Sequence, residues 1–184
     1  MKSNLIAILI YVSSSLLVNA ESRVWLGAER NDWEHTEYRK VENDFGGSLV
    51  ITSDLNWQQK WETPPDNVPP FAEAETVRVG EGIVILTFFV NPKVNEYGQA
   101  SVRCALKVTR PDGTEAANYE SFWCLNDTPM GDINNVRLSP AIINFIGEES
   151  DPLGEWVVEV NIHDVLRNTE LNLRRSFTLE PRNG

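Results

Sequence analysis

The run Ile83-Val84-Ile85-Leu86-Thr87-Phe88-Phe89-Val90 limits the possible folds of this chain more than any other stretch. Gly80 and Gly82 precede it and Asn91-Pro92 follows, so it is too short and too firmly bounded for a helix. Side chains on a strand alternate between two faces. Ile83, Ile85, Thr87 and Phe89 then share one face, and Val84, Leu86, Phe88 and Val90 share the other. Neither face suits water, so the strand needs cover on both sides and belongs at the centre of a layered β-structure.

Other strands follow from period-two patterns and turn signals after residue 71. Thr76 to Val79 leads into the central run. In Ser101 to Thr109, Val102, Cys104, Leu106 and Val108 face inward and Arg103, Lys107 and Thr109 outward. Pro111-Asp112-Gly113 is a turn. Glu120 to Leu125 is a strand with Phe122 and Cys124 on one face and Trp123 and Leu125 on the other; Trp123 is expected in the core. The apolar run Ala141 to Ile146 is read as a strand. Trp156, Val158, Val160 and Ile162 alternate with Val157, Glu159, Asn161 and His163, with Trp156 in the core. The last strand carries Leu171, Leu173, Phe177 and Leu179 on one face, with Arg175 as the exception. About seven strands with turns every 8–12 residues make an all-β, antiparallel sandwich. No strands alternate with long helices, which excludes a parallel α/β fold.

The segment before residue 71 reads as an N-terminal arm over 21–70. It carries a short strand at Arg23–Leu26, a turn over Val41–Gly47 and a second short strand at Ser48–Thr52. A short helix over Leu55–Glu62 follows, capped by Ser53-Asp54. Trp57 and Trp61 fall four apart, on one helix face. Pro64, Pro65, Pro69 and Pro70 then form a stiff connector into the sandwich at 71–184.

Residues 1–20 read as a signal peptide. Lys2 gives the positive start, the runs at Leu5 to Val12 and Leu16 to Val18 give the apolar region, and Val18-Asn19-Ala20 offers a cleavage site before Glu21. The apolar run is broken by Ser13-Ser14-Ser15 and falls short of the ~20 residues a membrane span needs. The expected location is secreted or periplasmic, with no membrane insertion once the signal is cleaved. Export puts Cys104 and Cys124 in an oxidising compartment, where the pair is expected to form a disulfide. Closing a loop of that length stabilises by about 3 kcal/mol in the chain-entropy picture. A formal charge of −11 repels phosphate backbones and argues against nucleic-acid binding.

The segment Gly154-Glu155-Trp156-Val157-Val158-Glu159-Val160-Asn161-Ile162-His163-Asp164 and the hairpin to Phe177 resemble the closing strand pair of immunoglobulin-like modules in bacterial exported proteins. In those modules a Gly-x-Trp start enters a core strand and an Asp closes it at the turn. The wider run from Trp57 to Leu179, with Arg110-Pro111-Asp112-Gly113 and Asp151-Pro152-Leu153-Gly154-Glu155-Trp156, is similar to small exported bacterial proteins with an immunoglobulin-like β-sandwich and no established activity. The resemblance implies the fold and an exported bacterial origin. It implies no mechanism, since such folds host many functions.

The residues for chemistry are sparse, and no catalytic residue, metal ligand or cofactor is expected. The chain has two histidines, His35 and His163. His163 adjoins Asp164, but neighbours on a strand point oppositely, and no Gly-x-Ser-x-Gly elbow supplies a nucleophile. Glu148, Glu149, Asp151 and Glu155 crowd one loop, and Asp127 and Asp132 another, without the spacing of a calcium loop. Gly80-Glu81-Gly82 lacks the helix and lysine of a phosphate loop. Tryptophan is the one enriched type suited to recognition. Trp25, Trp33, Trp57 and Trp61 are the candidate binding residues, with packing of the short helix as the favoured role for Trp57 and Trp61. Two functions fit. One is a non-enzymatic exported module presenting loops or an edge strand to an envelope protein. The other is a glycan- or peptide-binding module using the tryptophan-rich arm.

Overall fold

In a computed structural model, the residues described are 35–62 and 71–183. The expected signal peptide, the strand at Arg23–Leu26, Trp25, Trp33 and the proline connector lie outside them. Among the described residues, ten strands and one short helix follow in order. They are β1 (Arg39–Glu42), β2 (Phe45–Thr52), α1 (Trp57–Trp61), β3 (Thr76–Arg78), β4 (Gly82–Val90), β5 (Ala100–Thr109) and β6 (Glu115–Asp127). Then come β7 (Arg137–Leu138), β8 (Ile143–Ile146), β9 (Gly154–Asp164) and β10 (Thr169–Glu180). One sheet runs β1-β2-β4, with β7 and β8 sharing the far edge of β4; the other runs β3-β10-β9-β5-β6. The two face each other across a shared core as a β-sandwich. All strand pairs are antiparallel except β3 with β10.

The central strand, β4, is covered on both faces as its sequence requires. Ile83, Ile85 and Phe89 join the core between the sheets, with Leu49 and Ile51 of β2 and Trp156, Val158 and Phe177 of β9 and β10. Val84, Leu86 and Phe88 form a second core with Val50 and Trp57, flanked by Trp61, Phe71, Leu138 and Ile142. Phe88 lies 5.3 Å from the Trp61 ring and 6.0 Å from Phe71. Burying a side chain such as Phe88 contributes roughly 1.5–3 kcal/mol, so α1 and the chain at Phe71 act as the lid of the outer face.

This corrects the expected domain division. The sandwich does not begin at residue 71. β2 is buried along its whole length and pairs with β4 from Gly46↔Val90 to Thr52↔Val84. The reversal is made by Asn43 and Asp44, both at positive φ (50° and 64°), as a tight hairpin between β1 and β2 demands. Gly46 and Gly47 are strand residues. A Cβ on Gly47 would meet the Cδ1 atoms of Ile162 and Leu171 at 3.0 Å, so glycine lets the sheets approach there.

The helix cap also differs. The residue before α1 is Asn56, and no side chain caps the helix. The Asp54 carboxylate instead accepts the Ala72 amide at 2.7 Å and pairs with Lys60 Nζ at 2.6 Å, tying the returning chain to the helix. Burial pushes the Asp54 pKa up, but hydrogen bonds from Lys60 and the Ala72 amide outweigh it and hold the pKa below its ordinary value. A depressed carboxylate stabilises the fold above the unfolded-state pKa of about 3.9, and that contribution is lost as pH falls through the lower folded value. Thermal midpoints of the parent and Asp54→Asn should therefore differ most near neutral pH and converge in acid. A gap independent of pH would contradict this latch.

Arg175, the one charge on the inward positions of β10, sits at the seam between the sheets. Its guanidinium donates to Glu73 Oε2 at 2.6 Å and lies 4.3 Å from the Tyr38 ring centroid. At the end of the sandwich near β4's last residue, Asp164 is fully buried. It accepts the Lys93 amide at 2.7 Å, the Arg167 amide at 3.1 Å and Arg167 Nε at 3.2 Å. Arg167 in turn donates to the carbonyls of Asn43 and Asn91. One ion pair thus joins the β1–β2 hairpin, the segment after β4 and the β9–β10 turn.

Candidate interaction surface

β6 is the longest strand, at thirteen residues, and closes its sheet with β5 as its sole neighbour among the described residues. The sequence placed this strand at Glu120–Leu125; it starts earlier because Ala117 and Asn118 already pair with Val108 and Lys107. Most of its residues are exposed. The pairing with β5 shifts register three times, between Val102 and Arg103, between Cys104 and Leu106, and between Val108 and Thr109. Such bulges add twist and break the ladder locally.

The shift beside Cys124 changes which side chains reach the core. Phe122 and Leu125 pack against the inner core, and Cys124 is buried in it. Trp123 is expected in the core but is 43% exposed. It stands opposite Arg103 on the outer face, with the guanidinium 4.3 Å from the ring centroid. Arg103 also donates to Ser121 Oγ at 3.1 Å. Tyr119, 40% exposed, is the second exposed aromatic on this strand. The expected disulfide is present: Cys104 and Cys124 are bonded, Cα atoms 5.8 Å apart, which fastens β6 to β5 from the core side.

The outer face of this sheet is polar and ordered in rows. Arg174, Glu159, Lys107 and Asn118 form one row across β10, β9, β5 and β6. Asn172, Asn161 and Ala105 form the next, and Glu170, His163, Arg103 and Trp123 the one after. Lys107 Nζ lies 2.7 Å from Glu159 Oε2, and that hydrogen bond pushes the ammonium pKa above its ordinary value. The short middle row leaves an open depression of about 470 Å³, bounded by Glu37 and Lys40 at one end and Asn118 and Tyr119 at the other.

Of the tryptophans expected to bind, the described residues include Trp57 and Trp61. Trp25 and Trp33 lie outside the described residues. Trp57 is only 6% exposed and Trp61 is half-buried, both packed on the outer face of β4, so they serve as cover and offer no open platform. His35 is exposed. His163 Nδ1 is 4.0 Å from Glu170 Oε1, and Nε2 is enclosed without a partner among the described residues. Asp164 points to the opposite face, into its own clamp. In the acidic loop, Asp151 Oδ2 accepts the Glu148 amide and Glu149 pairs with Arg182. No group of His, Cys, Asp or Glu among the described residues is placed to hold a metal ion. No helix among them is long and apolar enough to cross a membrane.

No family model and no curated protein matches the chain. Solved structures similar to it include the CARDB domain of a Pyrococcus furiosus protein in complex with di-metal ions, at 10% identity, 81% of this chain, 100% of that one and TM-score 0.38. An immunoglobulin-like protein from Pseudomonas aeruginosa matches at 14% identity over 73% of this chain and 91% of the other, TM-score 0.35. The alkylpurine DNA glycosylase AlkC of Pseudomonas fluorescens, bound to DNA containing an abasic site analog, matches 58% of this chain at 14% identity and TM-score 0.34. The chain spans 28% of that glycosylase.

Proposed function

We propose that this chain is a non-enzymatic exported interaction module that presents the edge strand β6 to a protein of the cell envelope. The observation that carries the reading is a thirteen-residue strand with one neighbour among the described residues. An edge of this kind offers a row of backbone donors and acceptors to an incoming strand. Three bulges interrupt that row, so a partner fits only where its own backbone follows the twist, which is a source of selectivity. The disulfide stiffens the strand from the core side and suits an oxidising compartment. A photo-crosslinking side chain at Glu120, on the exposed part of β6, is expected to capture a discrete protein in an envelope extract. The same group at Glu96, on the exposed turn after β4, should capture none. Equal capture at both positions, or none at Glu120, would overturn the reading.

A further inference from the structure

We infer that the outer face of the β3-β10-β9-β5-β6 sheet is a binding trough for an uncharged oligosaccharide. The trough is separate from the β6 edge and does not rest on the edge reading. Its floor is the row Asn172, Asn161 and Ala105, in which Ala105 adds almost no height. Rows of longer side chains stand on either side, each two residues away along the strands, or about 6.6 Å. Asn161 Nδ2 donates to Asn172 Oδ1 at 2.9 Å, which fixes both amide planes. Asn161 Oδ1 and Asn172 Nδ2 then remain as an acceptor and a donor without partners among the described residues. A neighbouring acceptor and donor of this kind match adjacent hydroxyls of a sugar, each of which both gives and accepts a hydrogen bond.

Charge selects the ligand class. The depression is lined by three cations, Lys40, Lys107 and Arg174, and two carboxylates, Glu37 and Glu159. Lys107 pairs with Glu159 at 2.7 Å and Arg174 with Glu37 at 3.5 Å. The lining thus holds two ion pairs and one further cation, Lys40, and is nearly neutral on a chain of formal charge −11. Neither a polyanion nor a polycation gains much there. A protein hot spot would need a desolvated apolar pocket for an anchor residue, and the floor provides amides and one methyl group. At the β6 end Tyr119, which lines the depression, is exposed by about two-fifths. An aromatic ring with an apolar face and a polar rim suits the C–H face of a pyranose.

The test is a glycan array of neutral and acidic oligosaccharides, probed with the parent protein, with Asn161→Ala/Asn172→Ala, and with Asn144→Ala. Asn144 is an exposed asparagine of the other sheet. Retention of neutral glycans by the parent and by Asn144→Ala is expected, with at least a tenfold loss in the double variant at unchanged thermal midpoint. Retention of acidic glycans alone, retention that survives the double substitution, or no retention at all would overturn the assignment. Crosslinking from Glu120 is read independently, so failure of the trough and failure of the edge are told apart.

Discussion

Replacing Asp164 by alanine is expected to cost the fold about 3–5 kcal/mol, because removing one partner leaves a largely buried charge uncompensated. The carboxylate is fully buried, and Arg167 is its ionic partner. Without it the Lys93 amide loses its acceptor and Arg167 loses the group that aims it at Asn43 and Asn91. For a domain of this size each kcal/mol lowers the thermal midpoint by about 2–4 °C, so the drop should exceed about 6 °C. Asp164→Asn keeps an acceptor for Lys93 and should lose less. Combining Asp164→Ala with Arg167→Ala should cost less than the two single losses added, since the residues share one network. Strict additivity in thermal or urea unfolding would show that the three segments are held independently.

The second large effect is expected at Trp156. Its ring is fully buried, stacked on Phe177 at 6.1 Å and edge-on to Phe145 at 5.0 Å. Its Nε1 donates to the Pro152 carbonyl at 3.1 Å. Trp156→Ala should destabilise by about 3–5 kcal/mol through lost burial and the cavity left behind. Trp156→Phe keeps an aromatic in the stack and gives up the hydrogen bond, at about 1–3 kcal/mol for the unpaired carbonyl. Urea midpoints in the order parent, Trp156→Phe, Trp156→Ala are the check. A small loss for Trp156→Ala, well under 2 kcal/mol, would mean that the core between the sheets is not close-packed around this ring.

Legibility in the sequence followed the clarity of the alternation. β4 was readable because both of its faces are apolar, so both covers were implied by eight residues. β9 and β10 were readable because in and out positions differ in polarity, and the disulfide followed from two cysteines in a chain whose start reads as a signal peptide. β2 was half missed. Gly46 and Gly47 look like a turn in sequence, yet Gly47 is small because Ile162 and Leu171 press on it from the opposite sheet, a long-range reason no local pattern carries. Trp123 was expected in the core as a large aromatic on a core strand, yet it lies on the face opposite Phe122 and Cys124, as alternation alone requires. The bulge at Cys124 instead brings Leu125 to the core side, which strict alternation cannot register. The outer-face trough was invisible for the same kind of reason. Asn161 and Asn172 are eleven residues apart and meet only through the β9–β10 register.

The account turns on a closed centre at β2 and β4 and an open edge at β6, and native-state hydrogen exchange on the isolated protein reads both. Backbone amides of β2 and β4 should open only with global unfolding, while the amides of β6 that face away from β5 exchange orders of magnitude faster. If β6 were protected throughout at the level of β4, its edge would be covered within the chain itself and closed to a partner strand.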